Sequence, residues 1–198
     1  MKISNLSLVN VFEEKIAEFF GASYAVATDS CTHALELALR YTKSSSILSP
    51  RRTYISVPSL ASKLNINLCW QDIDWTNYYY LTPNIVDAAP FWQRDGYIPN
   101  TFMALSFQFN KHLSLGRAGV LLLENSADAY IIKKMSYDGR LPNIPWREQD
   151  IDTVGYHYYM TPETAQLGLD KLQAAIDTEP KVWSAVDYPD ISKMRVFV

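Results

Sequence analysis

Two residues and one turn of this sequence carry groups that could act together in catalysis. Lys111 lies in the run SFQFNKH, flanked by apolar and polar residues rather than by other charges. Most lysines are solvated surface groups, but a lysine in a cleft of low dielectric loses its proton readily and becomes an amine nucleophile. Asp87 ends an apolar run that begins at Ile85. A carboxylate there is either a turn or cap residue or the partner of a buried cationic ring nitrogen.

The turn at residues 29–32, with the sequence DSCT, precedes the apolar-periodic stretch HALELALRY. The first turn of a helix presents unpaired backbone N–H groups and a partial positive charge, which suit a phosphate. Thr32 adds a hydroxyl donor. Ser, Thr and Asp are also common N-cap residues, so the turn by itself indicates no ligand.

One cofactor needs all three features, and it is pyridoxal 5′-phosphate (PLP). It has a phosphate to anchor, a pyridine nitrogen to keep protonated and an aldehyde that a lysine can take as a Schiff base. The joint occurrence of Lys111, Asp87 and the 29–32 turn therefore predicts a PLP site.

The elements that position these residues alternate between helical and strand periodicity. Helices are predicted at 9–20, 33–41, 58–65 and 126–135, with a last one from 161 to about 176, and strands at 24–28, 67–70, 85–87, 102–107 and 119–123. For the first helix, Asn10 and Glu13 occupy the positions of a capping box and Gly21 is the stop. Pro58 is predicted in the first turn of the third helix.

This alternation predicts an α/β fold with a mostly parallel sheet flanked by helices. In such sheets ligands bind at the carboxyl ends of the strands, which is where Thr32, Asp87 and Lys111 fall. The 198 residues correspond to about one domain.

Composition excludes several classes of protein. Eighteen basic residues against 21 acidic ones, with Arg51–Arg52 as the nearest approach to a basic cluster, argue against a nucleic-acid partner. No apolar run approaches the roughly 20 residues needed to span a membrane, and residues 1–16 do not resemble a signal peptide. Cys31 and Cys69 are the only cysteines, and no Cys/His pair has metal-ligand spacing. We therefore expect a cytoplasmic protein without a metal site.

Aromatic residues make up 13% of the chain and are clustered. Tyr78, Tyr79 and Tyr80 are consecutive, and Tyr156, Tyr158 and Tyr159 are nearly so. Such clusters are typical of core packing or of a subunit interface.

Three stretches resemble the DegT/DnrJ/StrS family of sugar aminotransferases, which are fold-type I PLP enzymes. They are FEEKIAEFFGASYAVATDSCTHALELALR, LSFQFNKHLSLGRAGVLLL and VGYHYYMTPETAQLGLDKLQ, in that order along the chain from about Val11 to Leu172. The first resembles the family's helix, Gly, strand and Ser-Gly/Cys-Thr turn. The second is similar to the region of the Schiff-base lysine, and the third to a Gly-Tyr-Asn-Tyr-Arg-Met stretch.

The resemblance implies a role for each matching residue. Lys111 would form the Schiff base and move the proton between the substrate Cα and the cofactor C4′, and Asp87 would bind the pyridinium nitrogen. The remaining predicted cofactor-binding residues are Cys31, Thr32 and Ser106 at the phosphate, Tyr54 stacked on the ring, Ala89 on the opposite ring face, and His157 at the phosphate of a partner subunit.

The chain also departs from the family pattern. Pro90 stands where the family usually has His or Gln, His157 replaces the Asn, and Tyr159 replaces the Arg. Only ten residues separate Asp74 from Ile85, where the family has a further strand and helix, and 21 residues follow Asp177 instead of a C-terminal domain. The implied organisation is a shortened PLP-transferase large domain at 1–178 and a remnant C-terminal extension at 179–198.

The resemblance therefore implies an aminotransferase that moves an amino group from an amino acid, with glutamate expected, to a nucleotide-linked keto-sugar. A homodimer with shared active sites is also implied. The alternative is a catalytically weak or silent PLP-binding or scaffold protein that needs a partner, which the departures favour. A non-aminating dehydratase is a third reading, but its family members replace the lysine by His, and Lys111 is present.

Overall fold

The computed structural model describes the backbone of residues 5–198 and the side chains from residue 8 onward. Its helices are α1 (Asn5–Phe20), α2 (Cys31–Tyr41), α3 (Ser56–Leu64), α4 (Ser126–Ser136) and α5 (Pro162–Ile176). Its strands are β1 (Tyr24–Thr28), β2 (Ser46–Pro50), β3 (Asn67–Gln71), β4 (Tyr79–Thr82), β5 (Ile85–Asp87), β6 (Phe102–Ser106) and β7 (Gly119–Leu123). Within the described residues, no helix is long and apolar enough to cross a membrane.

The main sheet has five strands in the order β1-β7-β6-β5-β4, and β2 and β3 form a separate parallel pair. The α/β class is confirmed, but the sheet is mixed rather than mostly parallel. Only β5 and β6 are parallel in the main sheet, whereas the other three neighbouring pairs are antiparallel. The β4–β5 pair is antiparallel because Pro83 and Asn84 alone join the two strands, and a parallel pair needs a crossover of a dozen residues or more.

Strand direction decides which residues meet at one sheet edge. Strands β1, β5 and β6 run the same way, so their carboxyl ends lie at the same edge, and the antiparallel strands β4 and β7 begin there. Asp87 and Ser106 end their strands, while Tyr79 and Gly119 start theirs. This edge therefore collects the residues that sequence analysis assigned to chemistry.

Helices cover both faces of the sheet. Successive strand residues alternate between the two hydrophobic clusters: Val26 and Leu121 pack with α2, α3 and α4, and Ala27 and Leu122 pack with α1 and α5. This alternation follows from the two-residue period of a β-strand. Both faces of the sheet are apolar because helices cover both of them. The sheet is thus packed on both sides, and its edge is held by this packing.

Helix α1 corrects one prediction. It extends through Asn5 within the described residues, so Asn10 lies inside the helix and does not form a capping box with Glu13. The Glu13 carboxylate instead accepts the Ala27 N–H at 2.7 Å and pairs with Lys133, which ties α1 to β1 and α4. The predicted stop at Gly21 is confirmed, with a φ of +73°. Strands β2 and β4 were not predicted.

The C-terminal segment, residues 181–192, packs on two earlier parts of the chain. The Asn77 N–H donates to the Trp183 carbonyl at 2.7 Å, and the Ala185 N–H donates to the Trp75 carbonyl at 3.0 Å. The Ile191 N–H donates to the Arg51 carbonyl at 2.9 Å. Residues 75–77, which lead into β4, and the C-terminal segment are therefore in direct contact.

Candidate active site

The first turn of α2 lies against the start of β7. Ser30 caps the helix, and its Oγ accepts the His33 N–H at 3.3 Å. A Cβ added at Gly119 would lie 2.3 Å from the Cys31 nitrogen, so only glycine allows the two backbones to approach this closely. The Thr32 hydroxyl lies 2.7 Å from the Ser56 hydroxyl, which links α2 to α3.

A cavity of about 330 Å³ opens at this sheet edge. It is lined by every predicted site residue except His157, namely Cys31, Thr32, Tyr54, Asp87, Ala89, Ser106 and Lys111. These residues come from four stretches of the chain, 31–32, 54, 87–89 and 106–111, and the fold brings them together. We call Cys31, Thr32, Asp87, Ser106 and Lys111 the polar edge of the cavity.

Asp87 is 3% exposed at the end of β5. Its Oδ1 accepts the Ala89 N–H at 3.0 Å, and its Oδ2 accepts a hydrogen bond from the Tyr79 hydroxyl. Burial raises the pKa of Asp87, and these two hydrogen bonds act in the opposite direction. The carboxylate is thus held by two donors while about two of its lone-pair positions remain open to a further donor.

Lys111 follows β6 in the loop that leads to β7, where its N–H donates to the Gln108 carbonyl at 2.8 Å. Its Nζ lies 4.8 Å from the centre of the Trp183 ring. Burial lowers the pKa of Lys111, against the opposing influence of the Asp87 carboxylate. The amine is therefore more readily unprotonated, and more nucleophilic, than a solvated lysine.

The remaining predicted residues surround this pair. The Ser106 Oγ accepts the Gln108 N–H at 3.4 Å, and the Tyr54 side chain is 55% exposed. Burial raises the pKa of the Cys31 thiol well above its usual range, so it lines the cavity as a neutral group. Pro90 also lines the cavity and has no N–H to donate.

His157 lies outside the cavity of its own chain. Its side chain is 70% exposed, and its Nδ1 lies 2.9 Å from Asp138 Oδ1. The role that the resemblance implies for it concerns a partner subunit, so that role stays a prediction.

An aromatic group at the cavity was not predicted, and we call it the aromatic wall: Trp75, Tyr79 and Tyr188 line the cavity, and Trp183 packs against Tyr188. Ring centres lie 5.1 Å apart for Trp75 and Tyr79, 5.5 Å for Trp75 and Tyr188, and 6.1 Å for Trp183 and Tyr188. Burial raises the pKa of Tyr188 to about 12. The three consecutive tyrosines at 78–80 included Tyr79, but they were interpreted as core packing or a subunit interface and not as part of a site. Trp183 and Tyr188 follow the last stretch of family resemblance, so no motif pointed to them.

The residues of the cavity fit PLP. The first turn of α2 with Thr32 and Ser106 offers donors to a phosphate, Asp87 offers a buried carboxylate to a ring nitrogen, and Lys111 offers an amine to an aldehyde. The cavity lies within the size range of small-molecule sites. By its fold and by the residues of its cavity, the chain is an α/β protein of the class that binds PLP.

The comparisons with known proteins identify the family. The family model of the DegT/DnrJ/EryC1/StrS aminotransferase family matches residues 2–89 and 96–181. The chain therefore belongs to this family, whose members are PLP-dependent sugar aminotransferases.

A curated relative is 3-amino-5-hydroxybenzoate synthase of Amycolatopsis mediterranei (strain S699). It is 31% identical over 126 residues, which cover 62% of this chain and 32% of the relative. The chain thus matches about a third of the length of that enzyme.

Two solved structures share the fold. A Bacillus cereus ATCC 10987 protein named as a PLP-dependent aminotransferase has a TM-score of 0.73 at 18% identity, covering 86% of this chain and 59% of its own. Helicobacter pylori PseC, an aminotransferase involved in the biosynthesis of pseudoaminic acid, has a TM-score of 0.70 at 15% identity, covering 85% and 58%. The chain spans about three fifths of the length of these structures.

Proposed function

We propose that this chain is a PLP-dependent aminotransferase that moves an amino group from an amino acid, with glutamate as the proposed donor, to a nucleotide-linked keto-sugar. One observation carries the proposal: Lys111 and Asp87 line the same cavity as the first turn of α2. A silent scaffold has no need for a partly buried lysine and a buried carboxylate in one cleft, because each costs desolvation free energy.

Each residue of the polar edge has a task in this proposal. Bound PLP supplies an aldehyde and a pyridinium ring that withdraws electrons from the substrate Cα. Lys111 would hold that aldehyde through its Nζ amine and would move a proton at the substrate Cα. The Asp87 carboxylate would hold the proton on the ring nitrogen. Backbone N–H groups of the first turn of α2, with Thr32 and Ser106, bind the phosphate.

The proposed substrate class follows from the family and from the names of its relatives. The family description and the name of the H. pylori protein support a sugar acceptor. The Amycolatopsis relative is named for an aminobenzoate product, so the acceptor panel should also include small cyclic ketones. A homodimer with shared active sites and a cytoplasmic location are part of the proposal, and sedimentation of the purified chain tests the first of these.

The test uses the purified chain mixed with PLP. We expect visible absorbance from the bound cofactor and, after borohydride reduction, a covalent adduct that mass spectrometry assigns to Lys111. Lys111→Ala should lose both signals, whereas the control Lys15→Ala, at an exposed residue of α1, should keep them. An unchanged adduct in Lys111→Ala would refute the assigned nucleophile.

A second candidate function is a PLP-binding protein that does not turn over. Pro90 supports it, because it lines the cavity without a donor at the position where the family is expected to have His or Gln. Addition of glutamate to the PLP-loaded chain separates the two candidates. Conversion of the bound cofactor to its amine form supports the aminotransferase, and no spectral change with any common amino acid supports the silent binder.

A further inference from the structure

Tyr79, the middle residue of the tyrosine run, has no task in the proposed function. It starts β4 and lies opposite Asp87 in the β4–β5 pair. Tyr79 is 5% exposed, whereas Tyr78 and Tyr80 are 37% and 39% exposed. The strand period therefore divides the run, so that only the middle ring enters the cavity.

The Tyr79 hydroxyl belongs to a buried chain of hydrogen bonds. It donates to Asp87 Oδ2, and it lies 2.5 Å from the Thr53 Oγ1. Because the single phenol proton goes to Asp87, Thr53 is the donor in the second contact. Thr53 is 3% exposed, so the whole chain from Thr53 through Tyr79 to Asp87 is shielded from water.

This arrangement affects how Asp87 can act. A buried carboxylate without donors would favour its neutral form, and the hydrogen bond from Tyr79 favours the ionised one. Burial also raises the pKa of Tyr79 well above its usual range, so the phenol keeps the proton that it donates. The Tyr79 hydroxyl also fixes the direction of the carboxylate, because the Ala89 N–H holds the other oxygen at 3.0 Å.

We propose that Tyr79 is a positioning residue, whose hydrogen bond favours the ionised form of Asp87 and fixes the orientation in which its carboxylate would meet the pyridine nitrogen of PLP. The inference rests on the proposed function, which it deepens by adding a residue that acts through Asp87. The Thr53 hydroxyl donates to the Tyr79 hydroxyl and so helps to fix its position. The outer tyrosines of the run do not take part.

A double-mutant cycle tests this inference on the full chain. The variants are Tyr79→Phe, Asp87→Asn and the double variant, with Tyr80→Phe as the matched control on the same strand. PLP affinity is measured by titration of visible absorbance, and the absorption maximum of the bound cofactor reports the state of the ring nitrogen. Thermal unfolding verifies that each variant is folded.

We expect Tyr79→Phe to weaken PLP binding about tenfold to a hundredfold, the usual effect of losing a hydrogen bond to a charged group. Its absorption maximum should move part of the way towards that of Asp87→Asn. In the Asp87→Asn background the same change should alter affinity by less than about twofold, since the ionised carboxylate on which the hydroxyl acts is already gone. Thr53→Val should act in the same direction with a smaller effect, and Tyr80→Phe should change nothing.

The contrary outcomes are distinct. Equal losses from Tyr79→Phe with and without Asp87 would show that the hydroxyl acts only on the fold, which overturns the inference. An unshifted absorption maximum in Tyr79→Phe would overturn it as well. If the wild-type chain takes up no PLP, the proposed function fails and this inference fails with it.

Discussion

The cavity has two sides that are held in different ways. The polar edge is made of two strand ends, the start of α2 and the loop that carries Lys111, and all of them adjoin the hydrogen-bonded strands of the main sheet. The aromatic wall joins residues that are more than 100 positions apart, through ring contacts and a few hydrogen bonds such as that from the Ala185 N–H to the Trp75 carbonyl. The polar edge therefore depends on the integrity of the sheet, and so does Tyr79 at the start of β4, whereas the rest of the aromatic wall depends on packing that can be lost separately.

The largest effect should come from disturbing the polar edge. Gly119→Ala places a Cβ 2.3 Å from the Cys31 nitrogen, so α2 or β7 must move. We expect a loss of about 3 kcal/mol in unfolding free energy, at the upper end of overpacking effects, together with weaker PLP binding. Urea unfolding and PLP titration measure the two quantities.

The control for that change is Gly116→Ala. Gly116 has a φ of +82°, but a Cβ there meets no atom within 4 Å. Only the cost of the left-handed backbone remains, about 1–2 kcal/mol. Equal losses for the two variants would mean that the close approach of β7 to α2 has no energetic importance.

A change in the aromatic wall should have a smaller effect and leave the polar edge working. Trp183→Ala removes a half-buried ring that contacts Tyr188 and the Lys111 amine. We expect a loss of about 2 kcal/mol, below the roughly 3–5 kcal/mol typical of large aromatic-to-Ala changes in a core, with the covalent PLP adduct still formed. Val186→Ala, at an 82% exposed residue, is the control and should change stability by less than about 0.5 kcal/mol. Loss of the covalent adduct in Trp183→Ala would show that the polar edge does not work without the aromatic wall.

The pH dependence of PLP attachment follows from the lowered pKa of Lys111. Only the unprotonated amine attacks an aldehyde, and each unit by which the pKa falls raises the unprotonated fraction about tenfold at neutral pH. The rate of adduct formation, trapped with borohydride, should therefore reach half its maximum at a lower pH than it does for a free lysine derivative. A midpoint equal to that of the free amine would contradict the burial of Lys111.

The smallest expected effect is the contribution of Asp87 to the pH dependence of the unfolding free energy, measured without PLP. Since the pKa of Asp87 is raised on folding, its contribution to stability is present at low pH and is lost as the pH rises through the folded value. Asp87→Asn lacks this titration. The difference in unfolding free energy, wild type minus Asp87→Asn, should thus fall as the pH rises from acid to neutral, by up to about 1 kcal/mol. A difference that stays constant or increases with pH would refute the raised pKa.

The polar edge could be predicted from the sequence because its signals are local. Asp87 closes an apolar run, Thr32 precedes a periodic helix and Lys111 follows a strand. The neighbouring residues are therefore enough to predict that each of the three lies at the end of a strand or the start of a helix. The cysteine at position 31 and the serine at 106 required the family resemblance in addition. All of them line the cavity.

The aromatic wall and the strand directions could not be predicted in this way. Strand β4 consists of bulky side chains without a polar alternation, and its pairing with β5 depends on the tight turn at Pro83 and Asn84. Tyr188 reaches the cavity only because the C-terminal segment packs on residues 51–52 and 75–77, a contact that no short stretch of sequence encodes. The position of Asn10 inside α1 was missed for a related reason, since Glu13 serves a contact to β1 rather than a cap.

The packing of residues 181–192 has a consequence for synthesis. Translation runs from the N-terminus at about 5–20 residues per second, so several seconds separate the synthesis of Lys111 from that of Tyr188. During that interval every strand of the main sheet has been synthesised, whereas residues 181–192 have not. The backbone hydrogen bonds that join Asn77 to Trp183 and Trp75 to Ala185 can therefore form only at its end, so the aromatic wall is the last part of the cavity to assemble.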